Sequence, residues 1–311
     1  MKDDMFLGIE IGGTKLQLGV GHGDGSPLVE LVRCDVDARR GAAGILEQIE
    51  REATQLARRF PLGAVGFGFG GPVEAVAGRV TKSHQIAGWD HWPLVSWCEQ
   101  TIGLPAALGN DCDCAALAEA CYGAGRGARI VFYVTIGTGI GGGLVIDGRL
   151  HGTDRPAVAE IGHLRPGLSA ERSDATVESL ASGPGIAAAA VRRGLANQPE
   201  QFTAKQIAAA ARAGQADARQ VLDEAMQALG WAVAQMITLL APQVIVLGGG
   251  VSLMGEDLFY EPVRRHVARY VFPPLLDSYQ IVAPRWGEEV VVHGALALAA
   301  LQFNSASADS L

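Results

Sequence analysis

Several short stretches of this chain place carboxylates, a hydroxyl, a cation and an imidazole where group-transfer chemistry would need them. Glu10-Ile11-Gly12-Gly13-Thr14-Lys15 sets a carboxylate at the end of an apolar run, then two glycines that let a ligand approach the backbone, then a hydroxyl and an ammonium. Such groups suit a phosphate and its magnesium ion. The same residues also fit a plain hairpin turn, for which Gly-Gly is a common choice. Thr135 to Gly143 (TIGTGIGGG) carries five glycines in nine residues, a composition that weakens a strand and needs a compensating reason, such as close approach of the backbone to phosphate. Asn110-Asp111 follows a short apolar run and precedes a helical one. Either residue fits a helix cap, and Asp111 also fits a general base. Glu160-Ile161-Gly162-His163 puts a carboxylate and an imidazole three residues apart, with Glu178 further on. Each of these alone has a structural reading; their joint order makes them informative.

The common nucleotide motifs are absent. No Gly-Lys dipeptide occurs, so there is no Walker P-loop. Gly66-x-Gly68-x-x-Gly71 and Gly137-x-Gly139-x-x-Gly142 have dinucleotide spacing, but the first runs into Pro72-Val73 and the second into another strand pattern, where a dinucleotide site requires a helix.

Strand and helix patterns alternate around these residues. Phe6–Ile11, Leu16–Val20, Leu28–Arg33, Ala64–Phe69 and Ala106–Leu108 read as strands, whereas Gly44–Phe60, Leu94–Ile102 and Cys114–Tyr122 have helical spacing. In the second half, Ile130–Ile136, Gly143–Ile146, Val244–Leu247 and Gln280–Ala283 are strand patterns; Thr176–Leu240 is mostly helical, and Gly255–Val271 and Val290–Leu301 are helices. An offset of 125 residues lays Ile11-Gly12 on Ile136-Gly137 and Gly23 on Gly148. The chain therefore reads as two related α/β halves, or as two hairpins alike by chance.

The 311 residues allow two domains at about 150 residues each. With 49% hydrophobic and 19% charged residues the chain is not intrinsically disordered, and no apolar run approaches a membrane span. A net charge of −8 leaves no electrostatic footprint for nucleic acid, so a small-molecule partner is expected. Five cysteines without paired CxxC motifs read as free thiols, and the first residues show no export signal, so a cytoplasmic location is expected.

Taken together, these stretches resemble the ROK family of sugar kinases over almost the whole chain. Glu10–Lys15 resembles the family's first phosphate motif, Thr135–Gly143 its second, and Val244–Ser252 (VIVLGGGVS) its adenosine motif. Gly70-Gly71-Pro72-Val73 and Ser83–Trp89 resemble the loops before its sugar site. The resemblance implies an α/β, two-domain actin-like ATPase (ribonuclease H-like) fold with a nucleotide and sugar cleft between the domains. Residues 1–113 plus 290–311 would form the small domain and 114–289 the large one. It implies ATP and Mg2+ as cofactors, with the nucleotide on Gly12, Gly13, Thr14, Lys15, Thr138, Gly139, Gly248, Gly249 and Gly250, and Glu10 holding the metal through water. Asn110, Asp111, Glu160, His163, Glu178 and Gly71 would bind the sugar, with Asp111 as catalytic base. The implied reaction is phosphorylation of a hexose hydroxyl, O6 of glucose first; fructose, mannose and N-acyl hexosamines stay open, and a homodimer is expected.

Three departures from the family pattern bear on this expectation. Glu10 stands where Asp is usual, Gln85 where a sugar-contacting Asn is usual, and the zinc cysteines fall on Ser169, Glu171 and Thr176. No zinc site is expected, and a catalytically silent sugar-binding or regulatory protein of the same fold is the alternative. The family's DNA-binding repressors carry an N-terminal helix-turn-helix, for which a first phosphate motif at residue 10 leaves no room.

Overall fold

The computed structural model describes residues 4–83, 85–155, 157–167, 174–196, 198 and 202–308. In chain order the elements are β1 (Met5–Ile11), β2 (Lys15–Gly21), β3 (Glu30–Asp35), α1 (Gly41–Arg59), β4 (Leu62–Phe69), β5 (Val73–Glu74), β6 (Arg79–Val80), α2 (Leu94–Thr101), β7 (Ala106–Asn110) and α3 (Asp111–Tyr122). There follow β8 (Ile130–Ile136), β9 (Ile140–Ile146), β10 (Arg149–Leu150), α4 (Val177–Ala181), α5 (Gly183–Arg192), α6 (Ala204–Arg212), α7 (Ala216–Leu240), β11 (Val244–Gly248), α8 (Glu261–Tyr270), β12 (Gln280–Val282) and α9 (Val290–Ala308).

The chain divides into two compact units: Met1–Gly127 with Gly143–Val158 and Arg285–Leu311, and Ala128–Gly142 with Ala159–Pro284. The first unit thus holds α3 whole, where the sequence reading drew a boundary at 113, and its last segment begins at Arg285 instead of residue 290.

In the first unit the sheet order is β3-β2-β1-β4-β7. β2 is antiparallel to β1 and β3, while β1, β4 and β7 run parallel. The register pairs Ile11 with Phe69 and Phe69 with Asn110, so the carboxyl ends of three parallel strands stand level. Ligands of open α/β sheets bind outside such ends. One face is covered by α1, whose Ile45, Ile49, Ala53 and Leu56 recur at helical spacing and join Leu7, Ile9, Val65 and Phe67 in the core. On the other face, Val292, Leu296 and Ala299 of α9 pack with Phe6 and Ala64. Here α9 lies close against the sheet, and a β-carbon at Gly66 would stand 1.8 Å from the Ala295 carbonyl oxygen.

The second unit is built around β8, β11 and β12, which run parallel within a sheet of order β10-β9-β8-β11-β12. Thr135 pairs with Gly248, which sets the turn after β8 beside the loop after β11. The 25-residue α7 buries Val221, Leu222, Met226, Leu229, Val233 and Ile237 along one stripe. The single helix expected over Gly255–Val271 is instead a π-helical turn, Glu256–Tyr260, leading into α8. Pro262 has no N–H to give, and Glu261 donates to the Glu256 carbonyl five residues back.

Candidate functional site

The turn between β1 and β2 is closed by Gly12, whose N–H donates to the Lys15 carbonyl at 3.0 Å. Just before it, Glu10 is buried, at 8% exposure. Its Oε2 accepts from Gln17 Nε2 at 2.6 Å, and its Oε1 lies 3.3 Å from Lys15 Nζ. Burial pushes the Glu10 carboxyl above its ordinary pKa, against Lys15 and Gln17, which pull it down. Both oxygens already meet a donor. Such a carboxylate fits a magnesium ion that keeps its waters, rather than a directly bonded one. Gln17 was not singled out from sequence. It also donates to the Glu288 carbonyl at 3.1 Å and accepts from Arg33 Nε at 3.1 Å, so it links Glu10 to groups about 270 residues away that no local pattern reveals.

Asn110 and Asp111 stand at the junction of β7 and α3. Asn110 takes the cap: its Oδ1 accepts the Cys112 N–H at 2.8 Å, and its Nδ2 donates to the Gly71 carbonyl at 2.8 Å. Asp111 is the first residue of α3, with Oδ1 also 2.8 Å from the Cys112 nitrogen. Its other oxygen faces Gly70, where a β-carbon would stand 3.6 Å from Asp111 Oδ2, 3.3 Å from the Ile11 carbonyl oxygen and 3.7 Å from Gly12 Cα. Gly70 itself donates to Ile11 at 2.9 Å. The Asp111 carboxylate and the first glycine turn therefore flank one backbone residue. Nearby, Trp89 is buried with its ring edge-on to Phe69 at 5.1 Å. Gln85 rests its carboxamide on the glycine turn: a β-carbon at Gly13 would meet Gln85 Oε1 at 1.5 Å. Gln85, which stands where the family's sugar-contacting Asn is usual, thus lies against the first glycine turn.

In the second unit the turn between β8 and β9 is tied at both ends. Gly137 donates to the Gly139 carbonyl at 2.9 Å, and the Gly137 carbonyl accepts from Gly183 at 2.8 Å. Ile140 donates to Glu178 Oε2 at 2.7 Å. Thr138 projects outward and is exposed. The loop after β11 joins the same turn, because Val251 donates to the Ile136 carbonyl at 2.9 Å. Gly249 takes a left-handed φ of 88°, and a β-carbon there would lie 2.5 Å from the Ile136 oxygen, so glycine is required. Gly250 has open space around it, and Gly248 lies against the Tyr133 hydroxyl. Second-turn and adenosine-motif residues are thus adjacent within one unit. Ser182-Gly183, at the start of α5, completes this grouping and was missed in sequence, since its partner Gly137 lies 46 residues earlier.

Glu160 precedes a 3-10 turn, Ile161–His163, that His163 ends, with His163 Nδ1 3.9 Å from Glu160 Oε2. Ala159, just before, takes a left-handed φ of 59°, which costs a non-glycine residue about 1–2 kcal/mol. Such strain clusters at functional positions. Partial desolvation raises the Glu160 pKa although 45% of its side chain is exposed; His163 lowers it, and the Glu178 carboxylate raises it further. Glu160, His163 and Glu178 thus share one electrostatic neighbourhood. Of the positions where the family's cysteines would fall, Ser169 and Glu171 lie outside the described residues. Thr176 caps α4, its Oγ1 accepting from Ser179 N at 3.2 Å. Among the described residues no group of three or more His, Cys, Asp or Glu side chains is arranged to hold a metal ion.

Comparison with known proteins identifies the family. The sequence description of the ROK family matches residues 6–302. A glucokinase of Thermotoga maritima is 30% identical over 309 residues, covering 94% of this chain and 96% of its own. A putative fructokinase of Bacillus subtilis is 31% identical, covering 98% and 99%. Among solved structures, a ROK family glucokinase from Streptomyces griseus in complex with glucose and AMPPNP superposes with a TM-score of 0.79 at 29% identity, covering 95% of this chain and 99% of that one. With matching fold, motifs and coverage, the chain belongs to the ROK family and has its α/β, actin-like ATPase fold.

Proposed function

We propose that this ATP-dependent sugar kinase phosphorylates a hexose at O6, with glucose the first candidate and Asp111 the general base. The observation that carries the reading is the placement of the Asp111 carboxylate and the Ile11–Gly12 turn on either side of Gly70. A base poised to take a proton from an alcohol thereby sits next to a turn suited to the phosphoryl donor. The backbone of Gly12, Gly13 and Thr14 with Lys15 would receive phosphate oxygens, as would Thr138 and Gly139, and Gly248–Gly250 would face the adenosine. Magnesium, when bound, neutralises charge on the phosphates, and Glu10 would hold it through water.

Asp111 would accept the hydroxyl proton as the oxygen attacks phosphorus. Asn110 already has both its amide groups committed to backbone, so it fixes Asp111 and Gly71 in place and offers a sugar hydroxyl its remaining valences. Glu160, His163 and Glu178 would hold further hydroxyls. A buried polar group left unpaired costs about 1–3 kcal/mol, so several such contacts discriminate among epimers. The glucokinase and fructokinase relatives support a hexose, and the glucose complex supports glucose. Five free thiols support a reducing, cytoplasmic location.

The test is ADP release from ATP and magnesium across glucose, fructose, mannose and N-acyl hexosamines, run with the wild type and Asp111→Asn. Expected is strong stimulation by one sugar, glucose first, and a fall in kcat of about a hundredfold or more in the variant, the size of a general-base contribution. No response to any sugar would favour the silent sugar-binding protein, and an unchanged kcat would remove Asp111 from the role.

A further inference from the structure

We infer that Glu178 is a positioning residue for the phosphate donor as well as a sugar contact, so that one carboxylate couples the acceptor site to the second glycine turn. This rests on the sugar-kinase reading above and gives Glu178 a second task that reading does not contain.

The geometry is specific. Glu178 lies in the first turn of α4, whose start is fixed by the Thr176 cap. From there its Oε2 accepts the N–H of Ile140, the first residue of β9, at 2.7 Å. The same oxygen lies so close over Gly139 that a β-carbon there would come within 2.7 Å of it. Any other residue at 139 would push the carboxylate off the turn. From the opposite end, the Ser182 N–H donates to the Glu178 carbonyl at 3.0 Å and the Gly183 N–H to the Gly137 carbonyl at 2.8 Å. Residues 178–183 thus clasp the turn at Gly137 and at Ile140, and Glu178 supplies the side-chain half of that clasp. Its charge also raises the pKa of Glu160, so the carboxylate that holds the turn acts electrostatically on a proposed sugar contact as well. A side-chain oxygen that accepts the Ile140 N–H holds the turn, and fixed donors around a phosphate work because they need no reorganisation. A sugar hydroxyl that donates to Oε1 would hold the same carboxylate that holds Ile140, so filling one site would stiffen the other.

Two variants separate the tasks. Glu178→Gln keeps an acceptor oxygen for Ile140 but loses the charge that a sugar hydroxyl would meet; Glu178→Ala loses both. Amide hydrogen exchange at Ile140 is read in the ligand-free protein, and AMPPNP-magnesium affinity is read without sugar by calorimetry. Expected for Glu178→Ala is exchange at Ile140 at least tenfold faster, with AMPPNP affinity down about tenfold, while amides of β11 exchange as in the wild type. Glu178→Gln should restore both readouts to within about threefold of wild type while the KM for glucose stays raised at least tenfold. Wild-type exchange at Ile140 and wild-type AMPPNP affinity in Glu178→Ala would overturn the inference. So would failure of Glu178→Gln to rescue them. These readouts need no turnover, so they fail independently of the kinase reading, which falls only if no sugar drives ADP release by the wild type.

Discussion

At the scale of single residues, the proposed sugar contact Glu160 offers a test by pH. Burial and the neighbouring Glu178 charge hold its pKa above the usual 4.5, with His163 opposing them. Ionised, the Glu160 carboxylate is acceptor-only; protonated, it becomes a donor at one oxygen and loses part of its capacity to accept from a sugar hydroxyl. As pH falls through this raised value Glu160 gains a proton, so kcat/KM for the sugar should fall on an acid limb lying above pH 4.5. Glu178→Gln removes one raising influence and should move that limb to lower pH, even though the variant is slower overall; Glu160→Gln should remove the part of the limb that Glu160 sets. A limb that does not move in Glu178→Gln would show that the two carboxylates do not share a site. The linkage to folding has the opposite sense. The folded chain holds this proton more tightly than the unfolded chain, so Glu160 favours folding below about pH 4.5, and that contribution is lost as pH rises through the folded value. How legible these residues were follows from what each touches. Asp111, Glu160, His163 and Glu178 could be named from type and order along the chain. Gln17 and the Glu178–Ile140 bond could not, because each depends on a partner that only the fold brings near.

Among the secondary-structure elements, the approach of α9 to the first sheet explains glycines that mark no turn. Gly66 lies in the middle of β4, where it faces the Ala295 backbone. Gly294 plays the reciprocal part on α9, with a would-be β-carbon 1.8 Å from the Cys114 carbonyl oxygen of α3. A single sequence shows the glycine and not the helix that lies on it. Buried apolar runs were legible: β8 has the bounds expected, and β1, β4 and β11 differ by one or two residues. The two-residue strands β5, β6 and β10 were not seen, since such short pairs carry no periodicity. Gly66→Ala should therefore cost about 3 kcal/mol or more, the upper range for overpacking, because the clash is with backbone that cannot rotate away. Gly127→Ala is the control. Its φ of 87° strains alanine but its surroundings are open, so a loss of only about 1–2 kcal/mol is expected. Denaturant midpoints of the two variants provide the measurement, and equal losses would mean that α9 can move away from β4 at little cost.

For the whole molecule, the question is whether any metal other than the one travelling with the nucleotide helps hold the chain together. No helix among the described residues is long and apolar enough to cross a membrane, and both units carry apolar cores of ordinary kind, so neither needs the metal staple of a very small domain. On both sides of residues 168–173, near the positions where the family's cysteines would fall, the chain makes backbone hydrogen bonds. His163 donates to the Glu160 carbonyl at 3.0 Å, Val177 to Leu164 at 2.9 Å and Thr176 to Asp174 at 2.9 Å, and the α4 start is capped by a hydroxyl in place of a thiolate. A lone imidazole is a poor zinc site, since structural zinc takes four N or S ligands. A zinc-selective chelator applied with magnesium kept in excess should leave sugar-stimulated ADP release unchanged. The melting temperature should stay within about 1 °C, less than the ~2–4 °C that a loss of 1 kcal/mol produces in a domain of 150–250 residues. Elemental analysis of the purified protein should find zinc far below one ion per chain. One tightly held zinc per chain, together with a fall in melting temperature on its removal, would mean that the stretch carrying Ser169 and Glu171 contributes ligands despite lacking cysteine, and that the fold of the second unit depends on a metal after all.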